Sequence, residues 1–363
     1  MVITQQPSAP TQRCVIDGGV IIRDVNDIRI TVSCAQFLYV TNAADSTLSS
    51  FVVNPATGAL TRIGTPTATG AAPHAIVGLE CGSTRFVVVA SEGSNDISAF
   101  AVDNTTGGLT TVPGSPYPAG VDPQTLAVVG FGSSLWVANA GSDNILTYDI
   151  CGNTGVLTAG PSVGAAGKNP TSFIWSFGYV FSANHGGSND ISKFETGPPP
   201  VLISSFPAGG SPLSLALAVP GGGVFLYSAN PDATKPSISG FAIDPTTAAL
   251  SPLSGSPFPL PVSHYIAIDL TGTNLYVTSG TNVVGYSIDA TTGALAPLPG
   301  FPVAAGANAY SITIDPTNQF LYVVNEGAAN ISGFRLDAST GALIPMAGSP
   351  FPAGNHPQFI ATF

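Results

Sequence analysis

Residues 321–343 read LYVVNEGAANISGFRLDASTGAL, and this stretch decides the fold because six other segments of the chain resemble it. An apolar run ends at Asn325, an alternating run starts at Ile331, and an Asp–Thr–Gly turn follows at residues 337–341. Alternation with period two indicates a strand with two different faces, and Asp and Gly at fixed offsets indicate a turn. The stretch therefore predicts a β-hairpin that leads into a further strand.

The apolar run occurs seven times, at spacings of 45 to 49 residues, with strands that start near residues 38, 87, 135, 180, 226, 275 and 321. Most copies continue with the alternating strand, the Asp–Thr–Gly turn, a Ser–Pro–Phe-like loop and another apolar strand. Four strands per repeat at this period are typical of a propeller blade. We therefore predict an all-β, seven-bladed β-propeller with four-stranded antiparallel blades over residues 37–363.

Two segments compete for the inner strand of the first blade, namely Ile28–Ser33 and Pro357–Phe363. We expect the C-terminal segment to complete the blade that starts at Leu38, so that both ends of the propeller meet in one sheet. Residues 1–36 would then form an N-terminal arm with a strand near 28–34, although the opposite assignment stays open. The blade around Phe194 departs from the repeat, because Gly197–Pro200 replaces the turn.

Charge is scarce in this 363-residue chain, since only 8% of residues are charged and nine are Lys or Arg, for a net charge of −11. So few cations exclude binding to a nucleic-acid backbone or an anionic membrane surface. The sequence has no apolar run long enough to predict membrane insertion. Its first ten residues lack the features of a signal peptide, but the composition favours an extracytoplasmic protein (secreted, periplasmic or cell-surface) in a mature or trimmed form.

The four cysteines lack the CxxC spacing of zinc and redox sites; they are Cys14, Cys34, Cys81 and Cys151. In the predicted propeller, Cys34 and Cys81 fall in turns at the bottom face of neighbouring blades. Cys151 replaces the turn Asp of the next blade, on the same face. We therefore predict one disulfide between Cys81 and Cys151 and another between Cys14 and Cys34, with four free thiols as the alternative.

The motifs Phe-Leu-Tyr-Val-x-Asn at 37–42 and 320–325, and Ile-Ser-x-Phe followed by Asp-x-x-Thr-Gly-x-Leu at 331–343, carry a family resemblance. Over residues 37–363 the chain resembles the lactonase-like seven-bladed propellers, the family of the propeller-type 6-phosphogluconolactonase. The resemblance implies the same fold and, if the chain is an enzyme, the hydrolysis of a sugar lactone.

Three short segments are similar to motifs of that family. They are Ala-Pro-His-Ala at 72–75, Val-Asn-Glu at 324–326 and Gly-Asn-His-Pro at 354–357. Gln358 stands where the family pattern has an Arg, so the resemblance implies no cation there for a phosphorylated substrate. With few cations elsewhere, an uncharged lactone is the expected substrate.

Lactone hydrolysis requires a base that activates water and a donor that stabilises the oxyanion. The candidates lie on the top face, where the loops before the inner strands open: His74 or His356 as base, Glu92 or Glu326 as its orienting partner, and Asn325 as donor. The equivalent Asn recurs at 42, 139, 184 and 230, which favours a role in loop structure. The expected binding rim comprises Gln124, His185, Asp232, His264, Tyr310 and Gln358.

Two hypotheses about function follow from these features. The polar, uncharged loops favour a non-catalytic binding or surface-assembly module, with a glycan, small sugar or protein as partner, or self-assembly through the N-terminal arm. The alternative is a hydrolase that opens an uncharged sugar lactone at the top of the central channel. A separation of His356 from Glu326 beyond about 7 Å would exclude the second hypothesis. We expect no metal and no cofactor, since the residues that an oxidoreductase would need are lacking.

Overall fold

The computed structural model describes residues 36–81, 84–130, 134–150, 154–164, 167–197, 199–232, 234–260 and 264–362. These residues form seven antiparallel sheets, each a blade, together with one 3-10 turn at Glu326–Ala328. The prediction of an all-β, seven-bladed propeller is confirmed. In the described part of the chain, no helix has the length and apolarity that a membrane span needs.

Each blade begins with an inner strand beside the central axis and continues with a second strand paired to it. The inner strands of blades 2 to 7, and the strand that completes blade 1, are β5 (Pro73–Cys81), β10 (Pro123–Val129), β15 (Pro170–Ser176), β19 (Ser214–Ala218), β24 (Ile266–Ile268), β29 (Ala309–Ile314) and β34 (Pro357–Thr362). The second strands of blades 1 to 7 are β1 (Gln36–Asn42), β6 (Thr84–Ser91), β11 (Ser134–Asn139), β16 (Tyr179–Asn184), β20 (Phe225–Asn230), β25 (Asn274–Ser279) and β30 (Phe320–Asn325).

The third strands carry the alternating pattern, and the outer strands follow them. The third strands are β2 (Thr47–Val53), β7 (Asp96–Val102), β12 (Asn144–Asp149), β17 (Asp190–Glu195), β21 (Ser237–Ile243), β26 (Asn282–Ile288) and β31 (Asn330–Leu336). In six blades the outer strand consists of two short pieces: β3 (Leu60–Arg62) and β4 (Thr67–Ala68), β8 (Leu109–Thr111) and β9 (Tyr117–Pro118), β13 (Thr158–Ala159) and β14 (Val163–Gly164), β22 (Leu250–Pro252) and β23 (Phe258–Pro259), β27 (Leu295–Pro297) and β28 (Val303–Ala304), β32 (Leu343–Pro345) and β33 (Phe351–Pro352). Blade 4 has instead one continuous outer strand, β18 (Val201–Pro207).

The ring closes because β34 pairs with β1, which places Tyr39 opposite Ala361 and Val40 opposite Ile360. The C-terminal segment is therefore the inner strand of blade 1, as predicted. The competing segment 28–33 and the predicted arm lie outside the described residues. Cys14, Cys34 and Cys151 also lie outside them, so both disulfides stay predictions.

Buried apolar side chains form seven clusters, one at each interface between neighbouring blades. At the interface of blades 3 and 4, Trp136 fills the space between the sheets and makes edge-to-face contacts with Phe173 and Phe194 at ring-centroid distances of 6.2 and 6.1 Å. Trp136 is 2% exposed, which confirms that it belongs to the core. Each blade thus buries both of its faces, and the core is divided evenly around the ring.

A tyrosine near the start of the second strand links a blade to the next one at four interfaces. Its hydroxyl donates a hydrogen bond to the carbonyl of the left-handed glycine in the Asp–Thr–Gly turn of the neighbouring blade, or in blade 1 in the equivalent turn that starts at Asn54. The pairs are Tyr39 with Gly107 at 2.9 Å, Tyr227 with Gly293 at 2.6 Å, Tyr276 with Gly341 at 2.8 Å and Tyr322 with Gly58 at 2.7 Å. Burial raises the pKa of all four hydroxyls, so they stay protonated donors.

The turn that receives this bond is built by its own aspartate. In blade 7, the Asp337 carboxylate accepts hydrogen bonds from the hydroxyl of Ser339 and from the N–H groups of Ser339 and Thr340, and these bonds lower the pKa of Asp337. Gly341 then adopts a φ of 71°, which glycine tolerates without strain. The recurring Asp and Gly are therefore explained by the turn and by the link between blades.

Replacing Tyr322 with Phe tests the link between blades 7 and 1. Because the carbonyl of Gly58 would lose a buried donor, we expect Tyr322→Phe to lower the free energy of unfolding by about 1–2 kcal/mol. Urea denaturation followed by circular dichroism measures this loss. The matched control is Tyr286→Phe, since the Tyr286 hydroxyl makes no hydrogen bond within the described chain; an equal loss in both variants would contradict the assigned role.

Candidate functional site

The inner strands begin at the top of the channel, and their register defines a ring of seven equivalent positions. In five blades the first residue of the inner strand pairs with the last residue of the second strand, and the register shifts directly after it. Such a bulge re-aims the side chain that follows. We call the seven residues at this next position the mouth ring; in blade order they are Gln358, His74, Gln124, Thr171, Leu213, His264 and Tyr310.

Aromatic rings form a floor at the mouth ring. Tyr265 lies 4.9 Å from Phe359 and 5.0 Å from Tyr310, measured between ring centroids, and it is 7% exposed. His74 lies 4.5 Å from Phe359, and His264 lies 6.0 Å from Tyr310. The rings are inclined to one another, at interplanar angles of 56° for Tyr265 and Tyr310 and 82° for Tyr265 and Phe359, so they form a packed aromatic cluster with polar groups around its edge.

Hydrogen bonds hold the imidazole of His74 beside this floor. The Tyr310 hydroxyl lies 3.5 Å from Nε2 of His74. Nδ1 of His74 donates to the backbone carbonyl of Gln124 at 3.0 Å, so Nε2 is the acceptor. The His74 ring is 3% exposed, and burial lowers its pKa to about 4. His74 is therefore neutral near pH 7, and its orientation is fixed on both sides.

This burial makes the stability of the fold depend on pH. Between pH 6.5 and about 4 the unfolded chain binds a proton on His74 that the folded chain does not. Stability from this residue is thus present above pH 6.5 and is lost as the pH falls toward 4. We expect wild type to lose about 2–3 kcal/mol more than His74→Gln between pH 7 and 4.5 in chemical denaturation.

Gln is the matched replacement because Gln358 and Gln124 occupy the same ring position in the neighbouring blades. The two blades beside His74 therefore show that the backbone accepts this side chain. Parallel pH profiles for the wild type and the variant would contradict the assignment of a neutral, buried His74.

Glu326 is held by three side chains beside this floor. Its Oε1 accepts hydrogen bonds from Nδ1 of His356 at 2.8 Å and from Nε2 of Gln358 at 3.5 Å, and its Oε2 accepts one from Nδ2 of Asn308. The Glu326 side chain is 12% exposed, whereas that of His356 is 60% exposed. Within the described residues, Nε2 of His356 makes no hydrogen bond, so it is open to solvent.

The backbone of His356 belongs to the repeat. Its φ is 54°, and Ala72, Asp122, Asn169 and Asn308 at the equivalent position have φ values between 48° and 57°. In all five blades the carbonyl of this residue accepts the N–H of the residue after the recurring Asn or Ser. The left-handed conformation is therefore an element of the top loop, and the imidazole is the feature particular to blade 1.

A second glutamate has a similar arrangement two blades away. Glu92 accepts a hydrogen bond from Nε2 of Gln124 at 2.9 Å, and the same amide donates to Asp122 at 2.6 Å. Burial raises the pKa of Glu92, and the charges of Asp122 and Glu326 raise it further against the effect of the Gln124 bond. Gln358 and Gln124 flank His74 in the mouth ring, so two Glu–Gln pairs frame one buried imidazole.

Two of the predicted roles change in the structure. Glu92 orients Gln124, and not His74 as expected. Asn325 cannot donate to an oxyanion, because it is fully buried and both of its N–H groups bond to Asn330 and Ser332. The prediction of that donor role is wrong, and the loop role suggested by its recurrence is correct.

The other predicted rim residues divide into two groups. Gln124, His264, Tyr310 and Gln358 are all members of the mouth ring. His185 and Asp232 instead bond to the loop at Ser211, through Nδ1 of His185 at 3.0 Å and Oδ2 of Asp232 at 3.1 Å. The polar site therefore lies on the side of blades 7, 1, 2 and 3.

Sequence reasoning missed Asn308, Tyr265 and Phe359, which complete the site. Asn308 could have been identified from the sequence, because it occupies the same repeat position as His356. Tyr265 and Phe359 follow mouth-ring residues in apolar strands, where nothing distinguishes them from core residues. Among the described residues, no group of three or more His, Cys, Asp or Glu side chains is arranged to hold a metal ion.

Fold and site together define a seven-bladed propeller with a polar, histidine-containing mouth. The family described as lactonase, 7-bladed beta-propeller, matches the chain over residues 23–122 and 202–358. Since these segments make up more than half of the sequence, the chain belongs to this family. No curated protein sequence matches the chain.

Solved structures show the same fold at low sequence identity. A candidate 6-phosphogluconolactonase from Bacteroides uniformis has a TM-score of 0.77 and 19% identity, and the match covers 91% of this chain and 99% of that one. A Lactobacillus plantarum protein has a TM-score of 0.75 and 16% identity, and the match covers 91% of this chain and 99% of that one. The periplasmic gluconolactonase PpgL of Pseudomonas aeruginosa has a TM-score of 0.73 and 16% identity, and the match covers 90% of this chain and 98% of that one. At these identities the likeness establishes the fold alone.

Proposed function

We propose that the protein hydrolyses an uncharged sugar lactone at the channel mouth. The observation that carries the proposal is the 2.8 Å contact between Nδ1 of His356 and Oε1 of Glu326. This distance meets the requirement for a base and its orienting group, and it favours the hydrolase over the non-catalytic module. The names of the structural relatives PpgL and the Bacteroides protein also support a lactonase.

In this mechanism Glu326 holds the proton of His356 on Nδ1 and leaves Nε2 as the base. A water molecule gives its proton to Nε2 while its oxygen bonds to the lactone carbonyl carbon. When the intermediate collapses, the ring C–O bond breaks, and the imidazolium returns the proton to the departing alkoxide. The product is an open-chain hydroxy acid, and no other reactant is consumed.

The surrounding groups are suited to the binding of a neutral sugar. Oε1 of Gln358 lacks a hydrogen-bond partner within the described residues, so a rotation of this amide toward the mouth would let it accept a substrate hydroxyl. Tyr310 and Phe359 are half-buried at the mouth and supply apolar contact area for a sugar ring. Glu92, Asp122 and Glu326 make the mouth negative, which disfavours a phosphorylated lactone.

Replacing His356 with Asn tests the base. Asn occupies this position in blades 4 and 7 with the same left-handed φ, so the fold is expected to tolerate His356→Asn. We expect kcat for gluconolactone opening, followed by acid release in weak buffer, to fall about 10²–10⁴-fold. The control, Asn169→Ala at the equivalent position of blade 4, should keep wild-type activity. Turnover by His356→Asn at the wild-type rate, or no wild-type turnover on any neutral lactone, would refute the proposal.

Replacing Gln358 with Arg tests the charge preference. The guanidinium would lie beside Glu326 and supply the cation that the family pattern has at this position, so activity on 6-phosphogluconolactone should rise relative to gluconolactone. We expect the ratio of the two kcat/KM values to shift by at least about tenfold toward the phosphorylated substrate. An unchanged ratio would show that Gln358 does not contact the substrate.

The other expectations from the sequence stay predictions, including the extracytoplasmic location, a glycan or protein partner and the arm-mediated assembly. The disulfide between Cys81 and Cys151 also stays a prediction. Sγ of the buried Cys81 donates a hydrogen bond to the carbonyl oxygen of Ile150 at 3.1 Å.

A further inference from the structure

Blade 4 has an outer edge unlike that of the other blades. In the six others, the outer strand is broken into pieces of two or three residues, with a Pro-containing loop between them in most. In blade 4, β18 runs without interruption for seven residues, pairs with β17 along its length and ends the order of strands in the sheet. A long outer strand presents a row of backbone N–H and C=O groups that another strand can pair with.

The side chains of this strand are apolar and exposed. Val201, Leu202 and Ile203 are consecutive, and their exposed fractions are 48%, 41% and 46%. Edge strands are usually protected by charges, prolines or bulges. Here residues 201–207 include no charged residue, the proline is at the end of the strand, and one bulge lies at Ile203 between the partners Lys193 and Phe194.

We propose that β18 is a dimerisation edge, which pairs antiparallel with β18 of a second copy of this chain. Two four-stranded blades would then form one eight-stranded sheet across a twofold axis. The proposal does not depend on the proposed catalysis, because the edge lies on the outer rim and the mouth lies on the axis.

Self-complementarity identifies the second copy as the partner. About a centre at Ser204 and Ser205, antiparallel pairing places the aliphatic half, Val201–Ile203, opposite the half that holds Phe206. Pairs of aromatic and branched aliphatic residues stabilise neighbouring strands, and the small serines let the two backbones approach at the centre. Since β18 contains both the aliphatic half and the half with Phe206, each copy offers the other the complementary half.

Charge does not oppose pairing at this edge. The net charge of −11 disfavours contact between two copies over most of their surface, but β18 holds no charged residue, so its pairing with a second β18 brings no like charges face to face. A basic partner would find no carboxylate on β18. Blade 4 is also where the chain departs from its family, since the family match leaves out residues 123–201, which include β15 to β17.

Light scattering on the full chain tests the proposal over protein concentrations of about 1–100 µM, the range expected for a small interface. We expect the mass to rise from 36.5 kDa toward twice that value. Ile203→Lys would place a charge opposite the apolar Phe206 of the second copy and on an otherwise uncharged edge, and should weaken dimerisation at least about tenfold. Ile344→Lys is the matched control, because Ile344 is 50% exposed on the short outer strand β32 and should leave the dimer intact.

Three results would overturn the proposal. They are a wild-type protein that stays monomeric over the whole range, an Ile203→Lys variant that dimerises as tightly as wild type, and β18 amides that resist hydrogen exchange in a monomer. The last result would mean that residues 1–35 cover the edge. Circular dichroism establishes that the variants fold, and Val201→Lys replaces Ile203→Lys if the latter does not.

Discussion

The pairing of β34 with β1 is the contact on which the rest of the molecule depends. Each blade buries apolar side chains on both faces, so an open ring would leave the facing surfaces of two blades exposed to water. Closure joins segments that are more than 300 residues apart in the sequence, as the pairing of Val40 with Ile360 shows. Because loop-closure entropy grows only slowly with length, the cluster between blades 7 and 1 can offset this cost.

The same pairing assembles the site. His356, Gln358 and Phe359 belong to the closing segment, whereas Glu326 and Tyr310 belong to blade 7 and His74 belongs to blade 2. His356 and Glu326 therefore meet only when the ring is closed. His356 directly precedes β34, and Glu326 directly follows β30. The 2.8 Å contact between their side chains therefore depends on the closure of the ring.

Most of the fold could be predicted from the sequence, because its signals are local and repeated seven times. Strand alternation, the Asp–Thr–Gly turn and the fixed period identify the blades without any long-range information. The recurring Asn could also be assigned to loop structure, and the buried amide of Asn325 confirms that assignment. Repetition thus helps to separate structural from functional residues. A side chain that recurs at the same position in most blades is expected to stabilise the blade.

The partners within the site were harder to predict, because they depend on contacts between blades. Sequence reasoning paired His74 with Glu92 because both are in blade 2, but the carboxylate reaches Gln124 in blade 3. The hydrogen bonds from tyrosine hydroxyls to glycine carbonyls were not predicted for the same reason, since Tyr322 is in blade 7 and Gly58 is in blade 1. A single repeat shows which residues face its neighbours, but not which neighbouring residue they meet.

The departures from the repeat lie in two separate places, and this separation has a physical consequence. The hydrogen-bonded carboxylates and imidazoles beside the aromatic floor, Glu326, His356, His74 and Glu92, lie on blades 7, 1 and 2, while blade 4 replaces the broken outer strand with a continuous one. A partner that pairs with β18 extends the sheet outward from the rim, away from the axis. Such an assembly leaves the mouth open to solvent, so a small substrate can reach His356 in either the single or the paired state.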